Sequence, residues 1–318
     1  VRVRGAALAL AVGCGASPAP DRPHLDLGDG PRVRFLVLGD GGTGGADQAR
    51  VAAVAAAVCA AKADADGPGC DFALLLGDLI YPAGATGPDD PAWQTHVEGP
   101  LAPIGIPVYA VLGNHDYGPT GMSTAVADAA VAYAVTSERL RLPARAYSFT
   151  AGPALFTALD TQAAFLSPLI GEGGQAAWAA ALPDAHPRPW RVAFGHHPLR
   201  SDGRHGDAGA YEGLPWLPLG DGEAVRALGD AALCGRYDLY LSGHDHNLQW
   251  LEPECGLHLI VSGAAGKTTP LRRARPRRFA ADHTPGFFWL ELTAERMRVE
   301  AHGADGDLLF AGEAARVR

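Results

Sequence analysis

Five short polar clusters carry the side chains able to do chemistry: Asp40 in GDGG (39–42), Asp78 in GDLIY (77–81), Asn114, His115 and Asp116 in GNHD (113–116), His196 and His197 in GHHP (195–198), and His244, Asp245 and His246 in YLSGHDHNLQWL (240–251). Carboxylate, amide and imidazole are donors that hold metal cations without thiolate. A Gly-Asp pair alone says little, because such pairs also end at Asp29, Asp207, Asp221, Asp230 and Asp307, where they read as loops. Asp40 and Asp78 differ in that each directly follows an apolar run, in FLVLGD and FALLLGD. In open α/β sheets the carboxyl ends of strands face the ligand crevice. The other three clusters also close strand-like runs, so five strand ends would deliver donors to one edge.

The elements that must position these groups alternate along the chain. Apolar runs at 33–38, 72–76, 107–112, 191–194 and 237–241 read as buried strands. Helical patterns at 46–62, 123–137, 174–182 and 223–233 lie among them. The tail turns strand-rich, at 257–261, 287–292, 297–302 and 308–311. Alternating apolar strands and helices imply α/β architecture with sheets covered by helices, and the strand-rich tail implies a second sheet packed on the first. No internal repeat or linker divides the chain after residue 31, so one catalytic domain spans 33–318.

The five clusters, in this order and spacing, resemble the calcineurin-like metallophosphoesterases, and within them the purple (tartrate-resistant) acid phosphatases. The resemblance runs from about residue 33 to the carboxyl end. It implies a four-layer α/β/β/α sandwich of two packed mixed sheets and a dinuclear metal centre. Carried over residue by residue, it gives the first metal Asp40, Asp78, Tyr81 and His246, and the second Asp78, Asn114, His196 and His244, with Asp78 bridging. Two neighbouring cations need a shared anion, which a bridging carboxylate supplies. Many relatives have Asp-x-His at the first strand, whereas the slot here is Gly42; Tyr81 sits where the purple enzymes use a phenolate. Phenolate is a hard oxygen donor and favours Fe(III), while an amide and neutral imidazoles suit a divalent ion such as Fe(II), Zn or Mn. The implied activity is hydrolysis of a phosphate monoester by water activated at the metals, with an acid optimum. His115 is the first candidate to bind the phosphate or protonate the leaving group, and His205, in the loop SDGRHGD, is the second. Asp116 is expected to orient His115, Asp245 to cap a turn, His197 to point away from the metals, and Asp160 and Thr161 to be structural.

The amino-terminal residues read as an address. Arg2 and Arg4 precede an apolar stretch at 5–12, and Ala11-Val12-Gly13-Cys14 puts small residues before a cysteine. Residues 1–14 thus resemble a bacterial lipoprotein signal, with Cys14 as the lipid-bearing residue, or a plain secretory signal. Residues 15–32, rich in Pro, Asp and Gly, read as a tether. The expected protein is exported, membrane-anchored or secreted, and monomeric. Cys59, Cys70, Cys234 and Cys255 then allow three disulfide connectivities or four buried thiols; the pairs Cys59–Cys70 and Cys234–Cys255 are favoured because each brackets one short unit.

Composition narrows the function classes. Among 318 residues, 26 Lys and Arg against 35 Asp and Glu give a net charge of −9, which argues against a nucleic-acid partner held by overall charge. A 47% hydrophobic content is enough to fill a large core. The one basic stretch, KTTPLRRARPRR at 267–278, either steers anionic substrates or is a solvated loop, and it lacks the aromatics of a single-strand binder. A phosphodiesterase acting on nucleotide or lipid diesters is the alternative activity. A non-catalytic surface lipoprotein is the third reading, opposed by the fact that all seven metal-donor positions are filled. A small phosphate ester is the expected partner.

Overall fold

A computed structural model of the chain describes residues 22–170, 173–211 and 221–317. The leader expected at residues 1–14, with Cys14, lies outside the described residues. The strands run in chain order as β1 (His24–Asp26), β2 (Arg32–Leu38), β3 (Phe72–Leu76), β4 (Val108–Val111), β5 (Leu140–Arg141), β6 (Tyr147–Ala151), β7 (Ala154–Ala158), β8 (Trp190–Phe194), β9 (Leu239–Ser242), β10 (Leu248–Glu254), β11 (Leu257–Ser262), β12 (Arg277–Ala281), β13 (Gly286–Thr293), β14 (Met297–Gly303) and β15 (Leu308–Ala314). The main helices are α1 (Ala46–Lys62), α2 (Thr124–Ala134), α3 (Gln175–Ala185) and α4 (Glu223–Leu228).

Among the described residues the strands form two mixed sheets, ordered β15-β14-β13-β2-β3-β4-β5 and β1-β6-β7-β8-β9-β11-β10-β12. In the first, β2, β3 and β4 are parallel neighbours; in the second, β7, β8 and β9 are. Parallel strands must be covered on both faces, and their runs are accordingly buried throughout. Helix α1 covers the outside of the first sheet. Its Ala-rich sequence favours helix, and Gln48, Val51, Ala52 and Ala55 bury one face at i, i+3, i+4 and i+7 spacing. Helices α3 and α4 cover the second sheet through a separate apolar cluster that includes Ala179, Leu228, Tyr240 and Leu259. The four-layer α/β/β/α sandwich that the family resemblance implies is the observed fold.

Between the sheets the core is aromatic. Phe72 lies 5.6 Å from Phe35, 5.4 Å from Phe149, 5.3 Å from Phe156 and 5.6 Å from Tyr109, ring centre to ring centre, and is 2% exposed. Phe35, Phe72 and Tyr109 come from the first sheet, Phe149 and Phe156 from the second, so this one cluster joins the layers.

Helix α1 and strand β3 match the expected limits. Strands β5, β10 and β12 have no counterpart among the expected strands, and three further features differ. Within the expected tether, His24–Asp26 pairs in parallel with β6 and extends the second sheet at its edge. The hairpin β6–β7 has no counterpart in the sequence reading: its strands YSFTA and ALFTA are buried throughout, but polar Ser and Thr break the continuous apolar run that marks β3 and β4. The helix expected over 223–233 changes to wider turns from Gly229 to Leu233. Both favoured disulfides form: Cys59–Cys70 ties the end of α1 to the start of β3, and Cys234–Cys255 ties the segment after α4 to the β10–β11 turn.

Replacing Phe72 with Ala removes a ring that both sheets pack against. The expected cost is about 3–5 kcal/mol of unfolding free energy, read by urea titration, with the far-ultraviolet circular dichroism of the folded protein unchanged.

Candidate metal centre

The carboxyl ends of β2, β3, β4, β8 and β9 meet along one edge of the sandwich, and each delivers donors there. Asp40 follows β2, Asp78 follows β3, Asn114 follows β4, His196 follows β8, and His244 and His246 follow β9. To turn these side chains inward the backbone enters the left-handed region at three non-glycine residues: Asp40 at φ 60°, Asp78 at φ 54° and His244 at φ 69°. Such residues cost of order 1–3 kcal/mol each and cluster at functional sites. Close approach is secured by Gly113, where a Cβ would lie 2.2 Å from Asp78 Oδ1.

All seven expected donors come together. The Tyr81 hydroxyl lies 2.8 Å from Asp78 Oδ2, 3.1 Å from Asp40 Oδ1 and 3.3 Å from His246 Nε2. Near the same Asp78 oxygen, His196 Nε2 is 3.6 Å from Oδ2, and it is 3.0 Å from Asn114 Oδ1 and 3.1 Å from His244 Nδ1. Asp78 is therefore common to two donor groups. Asp40, Asp78 and His196 offer atoms within 4.8 Å of one another and are all buried. The other donors are half-buried, so the site opens toward Tyr81, Asn114, His244 and His246.

The donor geometry calls for cations. The His196 Nδ1 nitrogen is 2.8 Å from the Leu76 carbonyl, an acceptor, so this nitrogen carries the proton and Nε2 presents a lone pair. That lone pair meets Asn114 Oδ1 and His244 Nδ1, both placed as acceptors for a common positive charge. Burial alone would lower the His196 pKa, but the Asp78 and Asp40 carboxylates reverse this and hold it above its ordinary value. His244 is pushed well below its ordinary value by burial and then by the neighbouring imidazoles, which keeps it a neutral donor. Burial would raise Asp40, yet His246, His196 and the His244 N–H hold its carboxyl below the usual range. Tyr81 is driven far up, by burial and then by the Asp40 and Asp78 charges, so only a strongly charged cation would make it a phenolate. The residues fit a pair of cations.

Several outer residues depart from expectation. Asp116 does not orient His115; its buried carboxylate accepts the N–H groups of Leu79 (3.0 Å) and Gly113 (2.8 Å), lacing the β3 and β4 ends together. Burial and then the Asp78 charge push it up to about 7. His115 is placed instead by its N–H donating to Asp78 Oδ1 at 3.0 Å and by its Nδ1 donating to the Pro82 carbonyl. Asp245 accepts the N–H groups of His205 (2.8 Å) and Gly206 (3.3 Å), so it holds the His205 loop rather than its own turn. That contact lays the His205 ring 4.1 Å from the His244 ring, at the rim of the donor set. His197 stays out of the donor set, packed behind it with its ring 4.6 Å from that of His244.

Thr161 is the positioning residue whose part the sequence understates. Its buried hydroxyl accepts the backbone N–H groups of His196 (3.2 Å) and His197 (3.0 Å) and lies 3.0 Å from His197 Nδ1. Only the fold brings this helix-start residue, capped by Asp160, under the end of β8; the run ALFTALDT carries no local mark of it.

The sequence profile of the calcineurin-like phosphoesterase family matches residues 33–248. The chain is 27% identical over 321 residues to tartrate-resistant acid phosphatase type 5 of Homo sapiens, covering 91% of this chain and 92% of that protein. It is 25% identical over 326 residues to purple acid phosphatase 4 of Arabidopsis thaliana, covering 92% of this chain and 86% of that one. Among solved structures, GAP50, described as the anchor in the inner membrane complex of Plasmodium, aligns with TM-score 0.68 and 19% identity over 90% of each chain. A dimetal phosphatase from Danio rerio aligns with TM-score 0.58 and 16% identity over 90% of this chain and 100% of that one. At these identities the structural matches establish a shared fold.

Thr161→Val keeps the shape but removes the acceptor for two buried N–H groups. Metal affinity is expected to fall roughly 10- to 100-fold, and Thr161→Ser should restore most of it. Zinc titration with a competing chelator reads both; equal affinity for Val and wild type would show that the hydroxyl only fills space.

Proposed function

The chain belongs to the calcineurin-like phosphoesterase family, metal-dependent hydrolases of phosphoric esters, and within that family we propose that it is an exported acid phosphatase acting on phosphate monoesters, with Fe(III) at Asp40, Asp78, Tyr81 and His246 and a divalent ion at Asp78, Asn114, His196 and His244. The observation that carries this reading is the exchange between residues 42 and 81. A Cβ at Gly42 would lie 2.2 Å from the Leu79 carbonyl group, so no imidazole can reach the first metal from there. The Tyr81 hydroxyl stands among Asp40, Asp78 and His246 instead. Replacing a neutral imidazole by a phenol changes the preferred ion toward a hard trivalent one.

Bound there, the two ions would neutralise the phosphate and make water nucleophilic on the acid side of neutrality. The chain's residues do the rest. With Nδ1 committed to the Pro82 carbonyl, His115 keeps Nε2 to bind a phosphate oxygen or give a proton to the departing alkoxide. His205, held by Asp245, stands beside His244 as a second group for the phosphate. The Leu76 carbonyl fixes the His196 tautomer, so this donor does not reorganise between turnovers. Export is consistent with the two disulfides, which persist in oxidising compartments. No described helix is long and apolar enough to cross a membrane.

Protein isolated with its native metals is expected to contain iron, to absorb visible light through a phenolate–Fe(III) transition, and to hydrolyse p-nitrophenyl phosphate fastest below neutral pH. Tyr81→Phe should lose the visible band, and Asn114→Ala should lower activity by at least about tenfold. A colourless iron-loaded protein would refute the phenolate, and faster cleavage of bis(p-nitrophenyl) phosphate would assign a phosphodiesterase.

A further inference from the structure

The basic stretch 267–278 is not a free loop. Ala265 N–H donates to the Gly39 carbonyl (3.1 Å) and Thr269 N–H to the His246 carbonyl (2.7 Å), which seats the strap directly against two strand ends of the metal centre. Farther along, fully buried Asp202 pairs with Arg275 at 2.6 Å and Arg277 at 2.7 Å, and its carbonyl accepts the N–H groups of Arg272 and Arg273. Asp207 pairs with Arg275 at 2.9 Å. Two of the strap's cations therefore serve as anchors, and both anchoring carboxylates lie on the loop that carries His205.

Two others are presented rather than consumed. Lys267 Nζ sits 3.6 Å above the centre of the Tyr81 ring, at the edge of the donor set. Arg273 is exposed and reaches back over the His205 loop: its Nη1 donates to the Gly203 carbonyl at 3.1 Å, and a Cβ at Gly206 would lie 2.3 Å from the same nitrogen. Among the described residues no carboxylate lies within ion-pair distance of Lys267 or Arg273. One cation thus stands beside Tyr81 and the other against Gly203 and Gly206 of the loop that carries His205, on an anchored segment of a chain whose net charge is −9.

We propose that Lys267 and Arg273 form an anion-binding rim beside the metal centre, selecting phosphate esters that carry at least one further phosphate group. The proposal rests on the phosphatase reading of the centre and adds a substrate class to it. A phosphate seated at the metals would leave a second phosphate of the same molecule at the rim, where an ammonium and a guanidinium meet it. A rim held in place in advance loses little freedom on binding.

The test compares the metal-loaded protein with Lys267→Gln/Arg273→Gln, using calorimetric binding of sulfate and of myo-inositol hexasulfate, neither of which is hydrolysed. Wild type should prefer the hexasulfate, and the double variant should lose roughly tenfold of that preference, about the value of one or two partly exposed charge contacts. Lys267→Arg/Arg273→Lys should keep it, and added salt should erode it. In turnover, kcat/KM for fructose 1,6-bisphosphate relative to glycerol 2-phosphate should fall in parallel. A preference unchanged within twofold overturns the rim, as does an equal loss for both anions, which would mean that Lys267 merely offsets the Asp40 and Asp78 charge. A shifted binding preference in a protein that hydrolyses neither ester upholds the rim and refutes the phosphatase reading.

Discussion

The structure depends on the placement of Asp78. One oxygen of its buried carboxylate, Oδ2, lies both within hydrogen-bond reach of the Tyr81 hydroxyl and 3.6 Å from the His196 nitrogen. Asp40, also buried, approaches the same hydroxyl from the neighbouring strand. Two desolvated carboxylates this close repel unless positive charge is shared between them. Cations are the partners that the surrounding donors accept, because the amide and imidazoles nearby offer lone pairs to the same points. The second ring of hydrogen bonds serves this arrangement: Leu76 carbonyl to His196, the His115 and His244 N–H groups to the two carboxylates, and Asp116 across the loop ends.

Such a site needs a scaffold able to hold strained backbone. Three donors sit at positive φ, which a flexible loop would relax. Here each follows a buried strand of a parallel trio or pair, and the aromatic cluster around Phe72 couples the two sheets behind them. The strain persists because β2, β3, β8 and β9 all contribute side chains to the one buried core of which that cluster is part, and none can shift singly without opening it. The two sheets supply complementary donors: both carboxylates and the amide from one, the three imidazoles from the other. Separating the sheets would separate the two halves of the site.

Much of this was legible in the sequence for a physical reason. Strand-end Asp, Asn and His after apolar runs are a local signal, and the six such donors singled out by the family resemblance converge with Tyr81, the seventh. Gly42 and Tyr81 were equally readable, because residue type alone decides which donor is possible. The unread features are those in which partners come from distant segments. Thr161, Asp116 and Asp245 act through backbone N–H groups, which have no residue identity, so no spacing marks them. Strands β6 and β7 escaped because buried Ser148, Thr150 and Thr157 interrupt their apolar runs, and β1 because three residues in a polar segment gain strand structure only from their neighbour β6. The segment 267–278 was ambiguous between a steering patch and a solvated loop; its anchorage by Asp202 depends on contacts about 70 positions apart, 73 for the Arg275 pair.

That anchorage also bears on how a chain of net charge −9 would admit the anionic substrate proposed for it. At physiological ionic strength charges are screened over about 8 Å, so most of the 35 acidic side chains are invisible to a phosphate already at the strand ends. What such a molecule meets is set by the nearest groups, and those are unequal in kind. The carboxylates Asp40 and Asp78 are buried and face inward among the donors, where bound cations would neutralise them. The strap presents Lys267 at the edge and Arg273 on the surface. With two bound ions charging the donor set, the proposed rim would make the local field at the mouth positive in a molecule that is negative as a whole. On the proposed reading, the position of a few anchored side chains, rather than overall charge, would govern which anion enters.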